Sequence, residues 1–457
     1  MNSQVRVRAV STTLILVGLM LTYIALPSDS TVNIFAVAAV GVGLSLSIAI
    51  AIEATSGVRS LIRVDILMFA VLYGLTFLEF LFPQSNIDTV VSPATATSGT
   101  LAAFLGFAGL AIGRHLVPWR NKSEVAAYTD VPPRQIFRLF VLAALVGYLH
   151  ILLAVHFDPL EMLRQMALPR FWQSWSRARY GGDWYTLLVE VGALIYLIPP
   201  LSGLIYARAR DFGTSQKIIV TIVILVTFYY GFTTGTRNIL AVYVITFFGA
   251  YFLNREKISV WRVGLQGAAI LALLLFVTSY MLEFRNVGIS NFSFSDRSRD
   301  TLFIDNNMVV ISQLTNAFPN QYDFLGFEIP YHAVIHPIPR ALWPEKPEGL
   351  SVTVESIAGT TQATISSTFI GEAYMTRGML GVILAGILLG AAGEMWNRVG
   401  RNTNSPFAQL LYVSGFFCAA ITMRSILWMS VTMLPTIALW LYGRLWLSRT
   451  ALRARTR

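Results

Sequence analysis

Charged residues are scarce in this chain. Only 13% of its 457 residues are Asp, Glu, Lys or Arg, whereas 55% are hydrophobic and the mean hydropathy is +0.61. A soluble domain carries roughly a quarter charged residues, so this composition indicates that much of the chain faces lipid. The short alternating segments that are typical of a transmembrane β-barrel are also missing. We therefore expect a helical membrane protein.

Cysteine is almost absent, since Cys418 is the single one and lies in an apolar run. An intrachain disulfide and a cysteine-based metal site are therefore excluded. The Asp-x-Asp pair of nucleotide-sugar enzymes, the glycine-rich phosphate loop and the Gly-x-Ser-x-Gly elbow are missing as well. These absences disfavour a cytoplasmic enzyme that is driven by nucleotides.

Two histidines have a spacing that would suit a metal ion on a helix. His332 and His336 are four residues apart, but Pro330, Pro337 and Pro339 predict that their segment is not helical. The sequence offers no obvious third ligand. We expect neither a metal nor another cofactor.

Long apolar runs are abundant. Crossing the hydrocarbon layer takes about 20 mostly apolar residues in a helix, and runs of suitable length lie near 10–26, 33–52, 62–82, 98–117, 136–156, 185–206, 217–233, 238–253, 261–283, 378–396, 406–423 and 427–446. The pattern predicts an all-α polytopic bundle of about twelve spans that forms one integral membrane domain over 1–457. Two outer loops are predicted at 157–184 and 285–377, the larger one partly helical.

The basic residues orient this bundle. With the amino terminus in the cytoplasm, 22 of the 34 Lys and Arg residues fall in short cytoplasmic connections, and both termini lie inside. The other twelve lie outside, and eleven of them are Arg. Because an arginine fork suits bidentate phosphate binding, these outer arginines predict a phosphate or pyrophosphate ligand. Pairing with loop carboxylates or lipid head groups is the alternative for any one of them.

Three short stretches carry the candidate site. Arg237 lies in the turn 233–237 (Thr-Thr-Gly-Thr-Arg) and Arg424 at the end of a span, where a charge is costly. The proline-rich stretch 336–347 presents Arg340, Trp343 and Lys346, an aromatic face beside cations that suits a sugar phosphate. In 371–374 (Gly-Glu-Ala-Tyr), Glu372 is a carboxylate that could act as a base or hold an arginine; a structural salt bridge is the alternative.

The order of these stretches resembles the oligosaccharide repeat-unit polymerases, the Wzy-type O-antigen and exopolysaccharide polymerases. The resemblance rests on 235–237, 338–347 and 371–381, and departs where Thr376-Arg377-Gly378 replaces the Asn-Phe-Gly of many members. It implies a GT-C-like, metal-independent glycosyltransferase. Such an enzyme moves a growing glycan from undecaprenyl pyrophosphate onto the next lipid-linked repeat unit, at the outer face of the bacterial cytoplasmic membrane. By motif match, the catalytic residues would be Arg237, Arg340 and Glu372.

The remaining candidates would bind substrate: Arg164, Arg170, Arg177, Arg179, Arg285, Trp343, Lys346, Tyr374 and Arg424. Expected partners are lipid-linked oligosaccharides, membrane lipids, a chain-length regulator and a flippase, and no nucleic acid. Four other interpretations of the function stay open. These are an O-antigen ligase-like transferase, a transferase of polyprenyl-monophosphate sugars with Asp29 as its acid, a lipid-linked sugar transporter, and a non-catalytic scaffold.

Overall fold

A computed structural model of the chain describes residues 3–84, 87–118, 131–176, 184–255, 259–289, 292, 306–338, 340, 342–347, 349–357, 366–401 and 405–455. Within these ranges the protein is all-α, as predicted, and contains no strand. Its helices are α1 (Ser3–Ile24), α2 (Thr31–Ala54), α3 (Val64–Thr76), α4 (Pro93–Gly113), α5 (Pro133–Ala154), α6 (Pro159–Met166), α7 (Trp184–Val191), α8 (Ile198–Ala207), α9 (Thr214–Thr233), α10 (Arg237–Leu253), α11 (Val260–Val287), α12 (Asn307–Ala317), α13 (Glu328–Ile335), α14 (Val354–Ile357), α15 (Thr368–Gly400), α16 (Pro406–Arg424) and α17 (Met429–Arg455).

The predicted spans correspond to helices. In the part of the chain that the structure describes, nine helical stretches are long and apolar enough to cross a membrane. The three remaining predicted spans are shorter apolar helices, Val64–Thr76, Arg237–Leu253 and Trp261–Val277. The prediction of a polytopic helical membrane protein is therefore confirmed.

The outer surface of the bundle is apolar. Large side chains on several helices are more than half exposed, including Leu44, Leu225, Leu273 and Leu388. On α11, Trp261 is 88% exposed. A soluble monomer rarely exposes contiguous apolar patches of more than a few hundred Å². This surface is suited to acyl chains.

Glycines bring α4 and α15 into backbone contact. A Cβ atom on Gly113 would lie 2.1 Å from the carbonyl oxygen of Ile387, and one on Gly390 would lie 2.4 Å from that of Leu110. Small residues let membrane helices approach closely enough for dispersion contacts that lipid does not provide. The α4–α15 pair thus forms a tightly packed centre of the bundle.

A sharp kink divides α15. Arg377 and Gly378 leave the helical region, and Gly378 has φ +60°, a conformation in which glycine lacks the steric penalty of other residues. A Cβ on Gly381 would lie 2.2 Å from the carbonyl oxygen of Ala373, so the two parts meet closely. The second part matches the predicted span, and the first is a short helix that carries Glu372 in the predicted large loop.

The predicted large loop is partly helical and packs onto the bundle. Met308, Ile311 and Leu314 of α12 are fully buried. Helix α13 includes Pro330 and His332, and the backbone N–H of His336 donates to the carbonyl of His332 at 2.9 Å. The expectation that prolines prevent a helix here was wrong, because Pro330 lies in the first turn, where its missing N–H costs nothing. No group of three possible metal ligands occurs among the described residues.

Charged side chains gather at the two ends of the bundle. We call the end where α1 begins the N face, and the opposite end, which carries residues 306–357, the loop face. At the N face, arginines and carboxylates of α1, α2, α4 and α15 form buried ion pairs. Those predicted phosphate-binding residues that the structure describes lie at the loop face.

The close α4–α15 contact can be tested with Gly113→Leu. Its side chain would overlap the backbone of α15, so we expect a loss of stability of about 1–3 kcal/mol, measured as a lower thermal unfolding midpoint of the purified protein in detergent. Gly264→Leu on α11 is the matched control, because a Cβ there meets no atom within 4 Å. Equal midpoints for the two variants would contradict this packing.

Candidate functional site

The turn before α10 brings two predicted arginines together. Arg237 is the first residue of α10, and Gly235 precedes it with φ +65°. A Cβ on Gly235 would lie 2.4 Å from Cδ of Arg285, so the Arg285 side chain lies directly against this turn. Glycine is therefore required at position 235 for two reasons. It allows the backbone conformation, and it leaves the space that the Arg285 side chain occupies.

The first predicted outer loop packs beside Arg285. The N–H of Ile289, just after α11, donates to the carbonyl of Ala167 at 2.9 Å, and Cζ of Arg285 lies 5.7 Å from the ring centre of Phe171. The neighbouring Arg170 is close enough to the hydroxyl groups of Tyr196 and Tyr230 to interact with them electrostatically. Arg170 and Arg285 thus share one region with the 233–237 turn.

Arg237 and Arg424 lie at a similar height along the axes of two neighbouring helices. Helices α10 and α16 share a small cluster formed by Val242, Phe417 and Ala420. Arg237 is five residues from Val242 and Arg424 is four residues from Ala420, so each lies about 6–8 Å along its helix from that cluster. The two residues are at the loop-face ends of neighbouring helices.

Glu372 is buried, and it contacts the residues that follow Arg424. One carboxylate oxygen accepts from the hydroxyl of Ser425 and the other from the N–H of Ile426. No ion pair within 4 Å reaches Glu372 from the described residues, so the salt bridge to a loop arginine considered as an alternative is not seen there. The carboxyl group lies at the amino-terminal end of the helical segment that leads into α17, where it caps the first backbone N–H group.

The proline-rich stretch packs against this segment. The rings of His336 and Trp428 are 4.5 Å apart, and Nζ of Lys346 donates to the carbonyls of His336 at 3.0 Å and Ile338 at 2.9 Å. Burial lowers the pKa of Lys346, and the nearby Arg340 lowers it further, while Glu190 acts in the opposite direction. Arg340 and Lys346 are thus close neighbours, and the carbonyl bonds hold Lys346 within the loop.

Other carboxylates of the loop face also bind neutral donors. Asp88 accepts from the N–H of Thr31 at 2.6 Å, at the start of α2, and Glu328 accepts from the N–H and hydroxyl of Ser351. Neither forms an ion pair within 4 Å in the described part of the chain. Together with Glu372, these acids hold backbone segments in place.

Several predicted site residues are not among the arginines and Glu372 described above. The Tyr374 hydroxyl points to the carbonyl of Phe318 at 3.5 Å, and its ring packs on Phe324, which is a structural role. Arg164 is exposed on α6 and lies 3.9 Å from Glu161. Trp343 is half-buried, and its carbonyl accepts from the N–H of Lys346 at 3.1 Å. Arg177 and Arg179 lie outside the described residues.

Sequence reasoning missed a polar cleft of about 360 Å³ on the loop face. It lies between the start of α4 and helices α12 and α14, and hydroxyl and amide side chains contribute most of its polar groups: Ser92, Thr95, Gln313, Asn316 and Gln321. None of the described residues that line it is charged. The signal available in the sequence was the pair Gln313 and Asn316, three residues apart on one face of a helix whose other face is apolar.

Comparison with known families identifies the protein class. A family model described as "Putative O-antigen polymerase" matches residues 183–428, more than half of the chain. This chain belongs to the O-antigen polymerase family. No curated protein and no solved structure matches it.

Membership of the O-antigen polymerase family confirms the resemblance seen in the motifs and assigns the protein a role in polysaccharide synthesis at a membrane. The matched region includes Arg237, Arg285, Arg340, Glu372 and Arg424. It begins after α6, so Arg164 and Arg170 lie outside the matched residues. The polymerase-like part of the chain thus contains the turn, the proline-rich stretch and the kinked helix.

The contact of Glu372 with the 425–426 backbone generates a local prediction. Glu372→Ala removes two hydrogen bonds, which contribute about 0.5–3 kcal/mol each. We expect faster amide hydrogen exchange in 424–429, measured by mass spectrometry on the purified protein. Glu328→Ala is the matched control, because it removes the same kind of contact from Ser351 instead. Unchanged exchange in 424–429 would show that Glu372 does not hold this segment.

Proposed function

We propose that this protein is a glycosyltransferase that polymerises lipid-linked oligosaccharide repeat units. It would transfer the growing glycan from a polyprenyl pyrophosphate to a sugar hydroxyl of the next lipid-linked unit, for O-antigen, capsule or exopolysaccharide. The observation that carries the proposal is the placement of Arg237, Arg285 and Arg424 at one end of the bundle, in the matched region. Glu372, which contacts the residues directly after Arg424, accepts its hydrogen bonds from neutral donors.

The chemical step needs positive charge at the leaving group. The acceptor hydroxyl oxygen bonds to the anomeric carbon, the bond from that carbon to the pyrophosphate oxygen breaks, and the hydroxyl proton leaves to a base. Negative charge grows on the departing pyrophosphate, and preorganised guanidinium groups stabilise it where it develops. Arg237, Arg285, Arg340 and Arg424 would supply these groups, and we propose that no metal ion is needed.

Glu372 is assigned a positioning role. Both of its oxygens accept hydrogen bonds from the residues directly after Arg424, so the carboxylate fixes the end of α16. In this proposal it holds the backbone that carries Arg424. The base that accepts the hydroxyl proton is not assigned.

The loop face is proposed to face away from the cytosol. Of the basic residues, 22 of 34 fall on connections at the opposite end, as the positive-inside rule requires for a cytoplasmic N face. Both termini would then be cytoplasmic in a bacterial inner membrane. A flippase would deliver the repeat units to the loop face, and a chain-length regulator would act on the product there.

The amide-lined cleft is proposed to bind the acceptor glycan. Amide and hydroxyl groups both donate and accept hydrogen bonds, which matches the hydroxyl groups of neutral sugars. Its volume of about 360 Å³ lies within the usual range for small-molecule sites, about 300–1,000 Å³. Helix α12 connects the two sites, because Leu314 on its inner side contacts Gly371, next to Glu372.

The arginine proposal predicts a large loss of activity in Arg237→Ala. Removing one preorganised donor to a developing negative charge costs about 100–1,000-fold in kcat, and Arg237→Lys should recover only part of it because lysine lacks the planar fork. The assay is chain extension by purified protein with lipid-linked repeat units, with and without a metal chelator.

Arg210→Ala, an exposed arginine at the N face, is the control and should keep full activity. Full activity of Arg237→Ala would refute the arginine role. Loss of wild-type activity in chelator would refute metal independence. A single transfer without further extension would instead favour a ligase-like enzyme.

The cleft proposal predicts a change in acceptor affinity. Gln313→Leu and Asn316→Leu each remove a hydrogen-bonding group worth about 0.5–1.5 kcal/mol. The double variant should therefore raise the KM for acceptor about 5–100-fold while kcat changes little. Asn320→Leu, which changes an exposed amide outside the cleft, is the control. A KM equal to that of the wild type would exclude the cleft as the acceptor site.

A further inference from the structure

The N face contains a buried ionic network that the polymerase proposal does not use. Four arginines and three carboxylates meet there from distant parts of the sequence: Arg8, Arg63, Arg114, Arg401, Glu53, Asp65 and Glu394. In the sequence, the arginines of this network indicate the cytoplasmic side of the membrane. The structure instead places most of them inside the bundle.

The ion pairs are short and join separate helices. Arg114 of α4 is 1% exposed and lies 2.8 Å from Glu53 of α2 and 3.2 Å from Asp65 of α3. Glu394 of α15 lies 2.7 Å from Arg8 and 2.6 Å from Arg401. Removing one partner from such a network leaves a buried charge uncompensated, which costs about 3–5 kcal/mol. The network therefore ties the N-face ends of these helices together.

Among the described residues of this network, positive charge exceeds negative charge. The four arginines face three carboxylates, and Arg59 adds a fifth guanidinium at the edge without an ion pair in the described residues. Burial lowers the pKa of Arg63, but Asp65 and Glu53 outweigh it and raise that pKa above its ordinary value. Burial, together with Arg114 and Arg8, lowers the pKa of His115 to about 4, so this histidine is neutral at physiological pH. The local excess is positive.

A cavity of about 140 Å³ opens onto the network. Its charged lining residues are Arg8, Arg59, Arg63, Arg401 and the acid Glu53, and Tyr412 and Gln409 of α16 add polar groups. Glu53 is paired with Arg63 and Arg114. Because a water molecule takes about 30 Å³, the cavity has room for one small anionic group. It is well below the 300 Å³ or more that is typical of a site for a larger ligand.

We propose that this cavity binds the phosphate group of an anionic phospholipid in the leaflet at the N face. Phosphate suits several converging guanidinium groups, which donate in fixed forks. Basic pockets between membrane helices are suited to anionic lipid head groups. The network end of the cavity joins α1, α2, α3 and α15, so a bound head group stabilises the association of these helices.

The site is separate from the proposed polymerase site. Its cavity lies at the N face, and Arg8, Glu53, Arg59 and Arg63 precede the region that the family model matches. Lipid binding here can therefore hold or fail independently of the arginine roles at the loop face.

The test measures lipid binding to the purified full-length protein by native mass spectrometry. Phosphatidylglycerol, phosphatidylcholine and inorganic phosphate are added separately, and each is also tested as a competitor. We expect phosphatidylglycerol to bind more tightly than phosphatidylcholine and to raise the thermal unfolding midpoint. Arg59→Gln should weaken phosphatidylglycerol binding about tenfold, since the loss of one charge-assisted hydrogen bond is of that size.

Arg59 is exposed, so Arg59→Gln should fold as the wild type does without added lipid. Arg6→Gln is the matched control, because Arg6 is exposed on the same face but does not line the cavity. Competition by inorganic phosphate alone, at millimolar concentration, would support the phosphate chemistry and identify a soluble anion as an alternative source. Equal affinity for both lipids, or the same tenfold weakening in Arg6→Gln, would overturn the proposal.

Discussion

A hydrocarbon solvent makes every unsatisfied polar group costly, and this constraint governs both ends of the bundle. Backbone groups are satisfied within helices, which is why the chain uses helices to cross the lipid. Charged side chains are confined to places where partners can be supplied. At the N face the partners are carboxylates from other helices, as in the contact of Arg114 with Glu53. At the loop face three carboxylates, Asp88, Glu328 and Glu372, bind backbone N–H groups and hydroxyls instead.

The same constraint explains how the loop face is held in place. A polar loop resting on a membrane bundle needs fixed attachment points, and here they are short hydrogen bonds and glycine contacts. The N–H groups of Leu325 and Gly326 donate to the carbonyls that the α15 kink frees, at Met375 and Thr376. Gly378 provides the left-handed backbone at that kink. The kink thus turns one long helix into a span and a short helix that carries Glu372 beside the end of α16.

The sequence predicted the spans well because a lipid-facing helix must be apolar along its length, whatever its neighbours are. It predicted contacts between elements less well. Glu372 meets Ser425 and Ile426, more than 50 residues away, and no local pattern reveals such a pair. Pro330 predicts that its segment is not helical, yet it lies in the first turn of α13. The arginines of the N face looked like topological signals because their acidic partners come from other helices.

The arginines at the two faces differ in their surroundings. The difference is whether the neighbouring acids bind guanidinium groups or neutral donors. At the N face Glu53, Asp65 and Glu394 are all bound to guanidinium groups, so most of the positive charge there is compensated within the protein. At the loop face Asp88, Glu328 and Glu372 are instead bound to neutral donors. We propose that the loop-face arginines hold the pyrophosphate, because these three acids do not bind them and a cluster of cations at a membrane boundary attracts an anionic ligand. At the N face the proposed ligand is a single phosphate group, because the cavity there has a volume of only about 140 Å³.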